Sequence, residues 1–223
     1  MKRLLPLMAL LPAMSLAEPL WVGRFVSTDN SLPLPWRIVR FDPNVAPTRY
    51  RLREWDGVMA VEAHAVKSMA LLARPVEVDL VKTPVLCWRW RIDAPLKNAD
   101  MTTKAGDDYA AHIHLSFAKA LGRGKPMQDA AINYLWDNRH AVGTWQSNVH
   151  SERTRMLVLR SGATHAGRWV EERRDVAADF RHAFGRASEH LIGLAVASDT
   201  DNTGEEARAG FADLRFVAKD ESC

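Results

Sequence analysis

Cysteine is almost absent: the chain has only Cys87 and Cys223, which excludes both a disulfide-stapled scaffold and a zinc site built from cysteines. Long apolar runs are missing as well. Past the first residues, no stretch approaches the roughly 20 apolar residues that a membrane-spanning helix needs. Blocks of like charge are lacking: 30 basic side chains stand against 27 acidic ones, interleaved as in Glu171-Glu172-Arg173-Arg174, so a basic pI does not indicate a nucleic-acid surface. There is no Gly-x-Ser-x-Gly nucleophile elbow, and Gly122-Arg123-Gly124-Lys125 lacks the serine or threonine of a phosphate loop. Repeats and low-complexity linkers are absent, so nothing marks a boundary between domains.

What is present begins with a leader. Met1-Lys2-Arg3, an apolar run from Leu4 to Leu16 and small residues at Ser15 and Ala17 make the pattern of a secretory signal peptide over residues 1–17. The expected product is a single domain over residues 18–223, exported to the periplasm or secreted and without a membrane span. Removing Lys2 and Arg3 lowers the balance to 28 basic against 27 acidic side chains.

Period-two patterns dominate the remainder. Leu86, Trp88, Trp90 and Ile92 alternate with Cys87, Arg89, Arg91 and Asp93, and Tyr109, Ala111, Ile113, Leu115 and Phe117 alternate with Asp108, Ala110, His112, His114 and Ser116. Each segment has one face apolar enough to seal a core, and the two read as central strands of one sheet. Further strands are expected at residues 36–41, 49–55, 58–66, 131–136, 154–160, 168–172, 191–198 and 209–217. Short strands separated by turn residues predict an all-β fold, a jelly-roll-like β-sandwich. Asp175 ahead of Val176, Phe180 and Phe184 on one helical face predicts one short surface helix. Residues 18–35 read as an irregular lead-in, 122–127 as a loop and 137–151 as a long loop. Export permits a disulfide between Cys87 and Cys223, but the tail would have to fold back onto a core strand; an inert buried thiol and a free terminal one are expected.

With both central strands in one sheet, Arg89, Arg91, Asp108, His112 and His114 point to one side, with Asn133 and Asp213 as further contributors. Guanidinium forks beside carboxylate and imidazole suit a hydroxyl-rich or anionic ligand, and the plainer alternative is a solvated face of ion pairs. Trp136 and Trp145, flanking the long loop, are candidates for stacking on a sugar or for pinning that loop. His112 and His114 on one strand face would chelate a transition metal if Asp108, Glu62 or His64 supplied a third ligand. Asp199, Asp201, Thr203 and Glu205 have the spacing of the start of a calcium loop, to be completed by the Glu205 backbone oxygen and Asp213; position twelve is Gly210, so an EF-hand is excluded. The same residues also suit an ordinary hairpin. For acid–base work Asp107, Asp108, Glu171 and Glu172 are available, but neighbours in a strand face opposite ways.

Trp88-Arg89-Trp90-Arg91, Gly106-Asp107-Asp108-Tyr109-Ala110-Ala111, Ile132-Asn133-Tyr134-Leu135-Trp136-Asp137-Asn138 and the closing block from Ile192-Gly193 to Phe216 carry a resemblance. In that order the motifs resemble a family of exported Gram-negative bacterial proteins catalogued as domain of unknown function 3047, from about Trp36 onward. The resemblance implies no activity, substrate or catalytic residue. The family tends to have arginine at the place of His112 and an aromatic at that of His114, so it implies no histidine chemistry. More loosely, residues 175–216 look like the end of carbohydrate-binding β-sandwich modules, an analogy of fold. Together these point to an exported, non-catalytic module that binds a carbohydrate or similar polyhydroxylated ligand. A glycan-active or metal-dependent enzyme on the same fold, or an envelope assembly partner, are the alternatives.

Overall fold

A computed structural model describes residues 18–26, 31–119, 127–188 and 190–223; the expected signal peptide and most of the 122–127 loop lie outside them. The described strands are β1 (Leu20–Gly23), β2 (Arg37–Val39), β3 (Arg49–Trp55), β4 (Val58–Val66), β5 (Leu71–Asp79), β6 (Val85–Ile92) and β7 (Tyr109–Lys119). They continue with β8 (Met127–Asp137), β9 (Trp145–Asn148), β10 (Ser151–Ser161), β11 (Val170–Asp175), β12 (His190–Asp199) and β13 (Glu206–Val217), with helix α1 (Val176–Phe184) before β12. One sheet runs β11-β6-β13-β4-β3 with β1 paired to β13, and the other runs β2-β5-β12-β7-β8-β10-β9. Neighbouring strands are antiparallel except for β10 beside β8. Packed face to face, the sheets form the expected jelly-roll-like β-sandwich. No described helix is long and apolar enough to cross a membrane.

The core lies between the sheets. Leu86, Trp88, Trp90 and Ile92 on β6 meet Ile113, Leu115 and Phe117 on β7, and Tyr134 and Trp136 join them from β8. Trp88 stacks on Tyr134 with ring centroids 5.6 Å apart, and Trp90 tilts against Trp136 at 5.6 Å. This packing corrects the expectation of a shared sheet. Both strands alternate as expected, but they belong to opposite sheets and bury their apolar faces against each other. Their polar faces therefore point out of opposite sides of the molecule.

Strand β5 was hidden by Pro75, which has no N–H for a ladder bond. Pro75 lies opposite Gly193, at a register shift of β12, where a proline is tolerated within a sheet. Helix α1 forms as its sequence predicts: Asp175 accepts a hydrogen bond from the Ala178 N–H, and Gly185 closes the helix at φ 66°. The expected free thiols are corrected too. Cys87 lies on the outer face of β6, not in the core between the sheets, and is bonded to Cys223 as the tail folds back over Val85 and Val217.

Candidate functional site

Strand β7 opens with a bulge. Ala197 of β12 pairs with His112 and Asp199 with Tyr109, so between these pairs β7 has two residues where β12 has one. Ala110 and Ala111 both turn into the core, and Tyr109, which strict alternation would place there, shares the outer face with His112 and His114. The succession of two small apolar residues is the sequence signal for this bulge.

That outer face is the floor of a groove of about 600 Å³. Leu71 from β5, Asp199 from β12, His112 and His114 from β7, and Asn133 from β8 lie along it. Phe41 and Asp42 follow the β2 edge, whereas Asn148, His150 and Ser151 come from the β9 edge. Four carboxylates line the groove, those of Asp42, Asp107, Asp199 and Asp201. No lysine or arginine does so among the described residues.

At one end Asp199 is nearly sealed from solvent; its Oδ1 accepts the Tyr109 N–H at 3.1 Å and lies 3.4 Å from His112 Nδ1. Burial pushes its carboxyl up to about 6; His112 pulls the other way, and Asp108 and Asp107 add to the rise. Asp201 is raised as well, first by burial and then by Asp108. Asp108 is fully buried and holds the turn after β12: it accepts the N–H groups of Asn202 at 3.3 Å and Thr203 at 2.6 Å. Carboxylate oxygens of Asp108, Asp199 and Asp201 lie within 4.8 Å of one another.

Beside them, Tyr109 donates its hydroxyl to Asp107 at 2.6 Å, and Asn148 Nδ2 donates to the same carboxylate at 3.1 Å. Burial and the Asp107 charge hold the Tyr109 phenol far above its ordinary range. Further along, His114 Nδ1 donates to Asn133 Oδ1 at 2.7 Å and its Nε2 lies 3.1 Å from Ser116 Oγ. Burial pushes His114 down to about 4; Asn133 opposes this and His112 adds to it. Such an end offers acceptors and neutral imidazole and amide groups, which suit hydroxyl donors and repel anions.

A family profile described as "Protein of unknown function (DUF3047)" matches residues 34–215. The chain belongs to the DUF3047 family. No curated protein matches it. Among solved structures, this DUF3047 protein is similar to the xyloglucanase domain of NopAA, a type three effector from Sinorhizobium fredii, at 10% identity and a TM-score of 0.47 over 82% of this chain and 93% of that one. A family 12 xyloglucanase from Bacillus licheniformis is similar at 8% identity and a TM-score of 0.46, over 79% and 88% of the two chains. Endoglucanase 3 of family GH12 from Trichoderma harzianum is similar at 7% identity and 0.41, over 84% and 99%.

The groove of this DUF3047 protein gathers only part of the expected residues. His112, His114, Asn133, Asp199 and Asp201 line it, and Asp108 lies beneath its end. Arg89 and Arg91 do not, because β6 turns them to the outside of the other sheet. There Arg89 pairs with Asp213, and Arg91 pairs with Asp56 and lies over the Trp55 ring at 4.1 Å. Trp136 is 1% exposed, in the core, with its Nε1 donating to the Gly162 carbonyl, so no ligand can stack on it. Trp145 is half-buried against His182 at 5.2 Å, in strand β9 within the expected loop.

The metal sets are corrected in the same way. Both ring nitrogens of His114 are engaged, and Glu62 and His64 sit on β4 of the other sheet, so the His112 and His114 pair gains no third ligand from them. Asp213 faces Arg89, the Glu205 carboxylate accepts the Lys97 and Asn98 N–H groups, and the Glu205 carbonyl accepts from Lys67. Neither residue joins the calcium set. Thr203 stays in the same turn through its N–H to Asp108. Sequence reasoning passed over Phe41, whose ring is 66% exposed at the groove's rim. It also passed over the chain of hydrogen bonds from Tyr109 through Asp107 to Asn148, which only the bulge creates.

Proposed function

We propose that the outer face of the seven-stranded sheet binds a neutral polyhydroxylated ligand, a carbohydrate chain, in an exported protein. The observation that carries this is a groove of about 600 Å³ furnished with carboxylate, imidazole and amide groups and with no lysine or arginine among its described lining. Carboxylate and amide oxygens accept from vicinal hydroxyls, and amide nitrogens donate back to them. Phe41, Met69 and Leu71 supply the apolar surface that a pyranose ring covers with its C–H groups. The lack of guanidinium and ammonium groups among its described lining argues against sulfated or uronic-acid polymers, which Arg89 and Arg91 on this face would have admitted. The Cys87–Cys223 disulfide supports an oxidising compartment, as the leader sequence does.

A glycan array probed with the mature protein tests this. Neutral glycans are expected to bind, and Phe41→Ala together with Asn133→Ala to weaken binding about tenfold, a loss of about 1.4 kcal/mol. Binding confined to sulfated or carboxylated glycans, or undiminished in the double variant, would remove the ligand from this groove.

A further inference from the structure

The acidic end of the groove holds more negative charge than its surroundings answer. Asp108, Asp199 and Asp201 bring carboxylate oxygens within 4.8 Å of one another, and Asp108 and Asp199 are both buried. Buried charges are normally paired or bound to a metal. Arginine pairs with the buried carboxylates of Glu62 and Asp179, but no arginine or lysine lines this groove among the described residues. Two of the three carboxylates are held from behind by backbone N–H groups, Asp199 by that of Tyr109 and Asp108 by those of Asn202 and Thr203. Asp108 Oδ1 also accepts from Asn202 Nδ2 at 3.2 Å, whereas Asp108 Oδ2 and Asp199 Oδ1 each accept one such bond and keep a lone pair.

A separate element points the same way. His112, on the neighbouring strand β7, is 4% exposed, and its Nδ1 has no hydrogen-bond partner. That nitrogen is turned toward the cluster, 3.4 Å from Asp199 Oδ1. Asp201 Oδ1 and Thr203 Oγ1 are also buried atoms without a hydrogen-bond partner. Buried polar atoms rarely go without partners, and here one belongs to a member of the carboxylate cluster and another lies beside Asp199.

We infer that Asp108, Asp199, Asp201 and His112 form a binding site for a divalent metal cation at the end of the groove. The set keeps Asp199 and Asp201 from the expected calcium loop and takes Asp108 and His112 from β7 and the residue before it. Three carboxylates with one imidazole suit Mn²⁺ or Zn²⁺ better than Ca²⁺ or Mg²⁺, which favour all-oxygen surroundings. The spacing agrees. An ion about 2.1 Å from both His112 Nδ1 and Asp199 Oδ1 would see them at roughly 108°, within the range of tetrahedral coordination. The site stands whether or not the groove takes a sugar, since no donor in it depends on that ligand.

The mature protein, stripped with EDTA and desalted, is titrated with MnCl₂, ZnCl₂ and CaCl₂ separately by calorimetry, with thermal melts in parallel. One Mn²⁺ or Zn²⁺ per chain is expected, more tightly held than Ca²⁺, with a higher melting temperature. His112→Ala and Asp201→Asn are each expected to weaken Mn²⁺ or Zn²⁺ binding by at least about tenfold, while Phe41→Ala leaves it unchanged. Asp201 is the less buried carboxylate, so its variant keeps the test alive if others fail to fold; circular dichroism in EDTA checks both. Failure of all three ions to bind below about 1 mM would overturn the site, as would binding indifferent to both variants. Glycan binding that persists with metal binding absent would sink this inference and leave the carbohydrate groove standing.

Discussion

On the outer face of the six-stranded sheet, Glu62 is 1% exposed, and Arg51, Arg53 and Arg208 reach it at 2.6, 3.4 and 3.7 Å. Arg89 faces Asp213 beside it, and Arg91 faces Asp56 and Asp93. A groove of about 720 Å³ on this side is lined by Arg40, Arg49, Arg51 and Arg208. Across the sandwich the groove gathers Asp107, Asp199 and Asp201 with imidazoles and amides, and no guanidinium among its described residues. The formal balance of +3 conceals a separation of charge by face. Carboxylates on one side are held in place by arginines, whereas those on the other are held by backbone N–H groups, a phenol, an amide and an imidazole. An ion-paired face is an ordinary solvated surface; buried carboxylates without a guanidinium or ammonium partner are what a cation or a hydroxyl-rich ligand would meet.

The largest test of that contrast is the disulfide, which ties the tail to the arginine-rich side. Cys223→Ser frees a loop of 136 residues and is expected to lower stability by about 3 kcal/mol, read from urea unfolding. Metal and glycan affinities, measured on the opposite face, are expected to stay as they were. If they fall with it, the two faces are not independent.

Next in size is Glu62. Glu62→Ala leaves three arginines without their shared partner and is expected to cost about 2 kcal/mol, less than a fully buried pair because Arg51 remains 64% exposed to solvent. Burial raises the Glu62 carboxyl, but Arg51 and Arg53 together outweigh it and hold it below its ordinary value. A depressed carboxyl contributes stability above its unfolded pKa and loses it as pH falls through the folded one. The advantage of wild type over Glu62→Gln should therefore be full above about pH 5 and shrink below about pH 4, in melts taken between. A gap that widens on acidification would show that the arginines do not hold Glu62 ionised.

Much of the sandwich was legible because alternation fixes which side chains face the core, and Leu86, Trp88, Trp90 and Ile92 face it as their spacing predicts. Alternation cannot say which sheet a strand joins. Two segments of the same pattern fit side by side or face to face, and long-range packing of Trp88 on Tyr134 decided it. That is why Arg89 and Arg91 were expected beside His112 and lie on the far side. Charge type carried no correction, since an arginine reads the same whether it meets a ligand or Asp213. The metal-ligating set was half legible. Asp199 and Asp201 announced themselves by spacing, while Asp108 and His112 reach them only through the pairing of β7 with β12 and a bulge at Ala110-Ala111.

Asp201→Asn makes the smallest change and the sharpest comparison. Neutralising Glu62 removes the attraction that holds three arginines; neutralising Asp201 removes repulsion from Asp108 and relieves a carboxylate oxygen buried without a partner. In EDTA the variant is expected to be more stable than wild type by about 0.5 kcal/mol, roughly 1 °C in melting temperature. With saturating Zn²⁺ or Mn²⁺ the order should reverse, because wild type then gains binding energy that the variant has lost. Melts of both proteins in both conditions give four temperatures, and the crossing is what matters. A variant less stable in EDTA as well would mean that the Asp201 carboxylate already has its partner within the protein, and that the two faces handle charge in the same way.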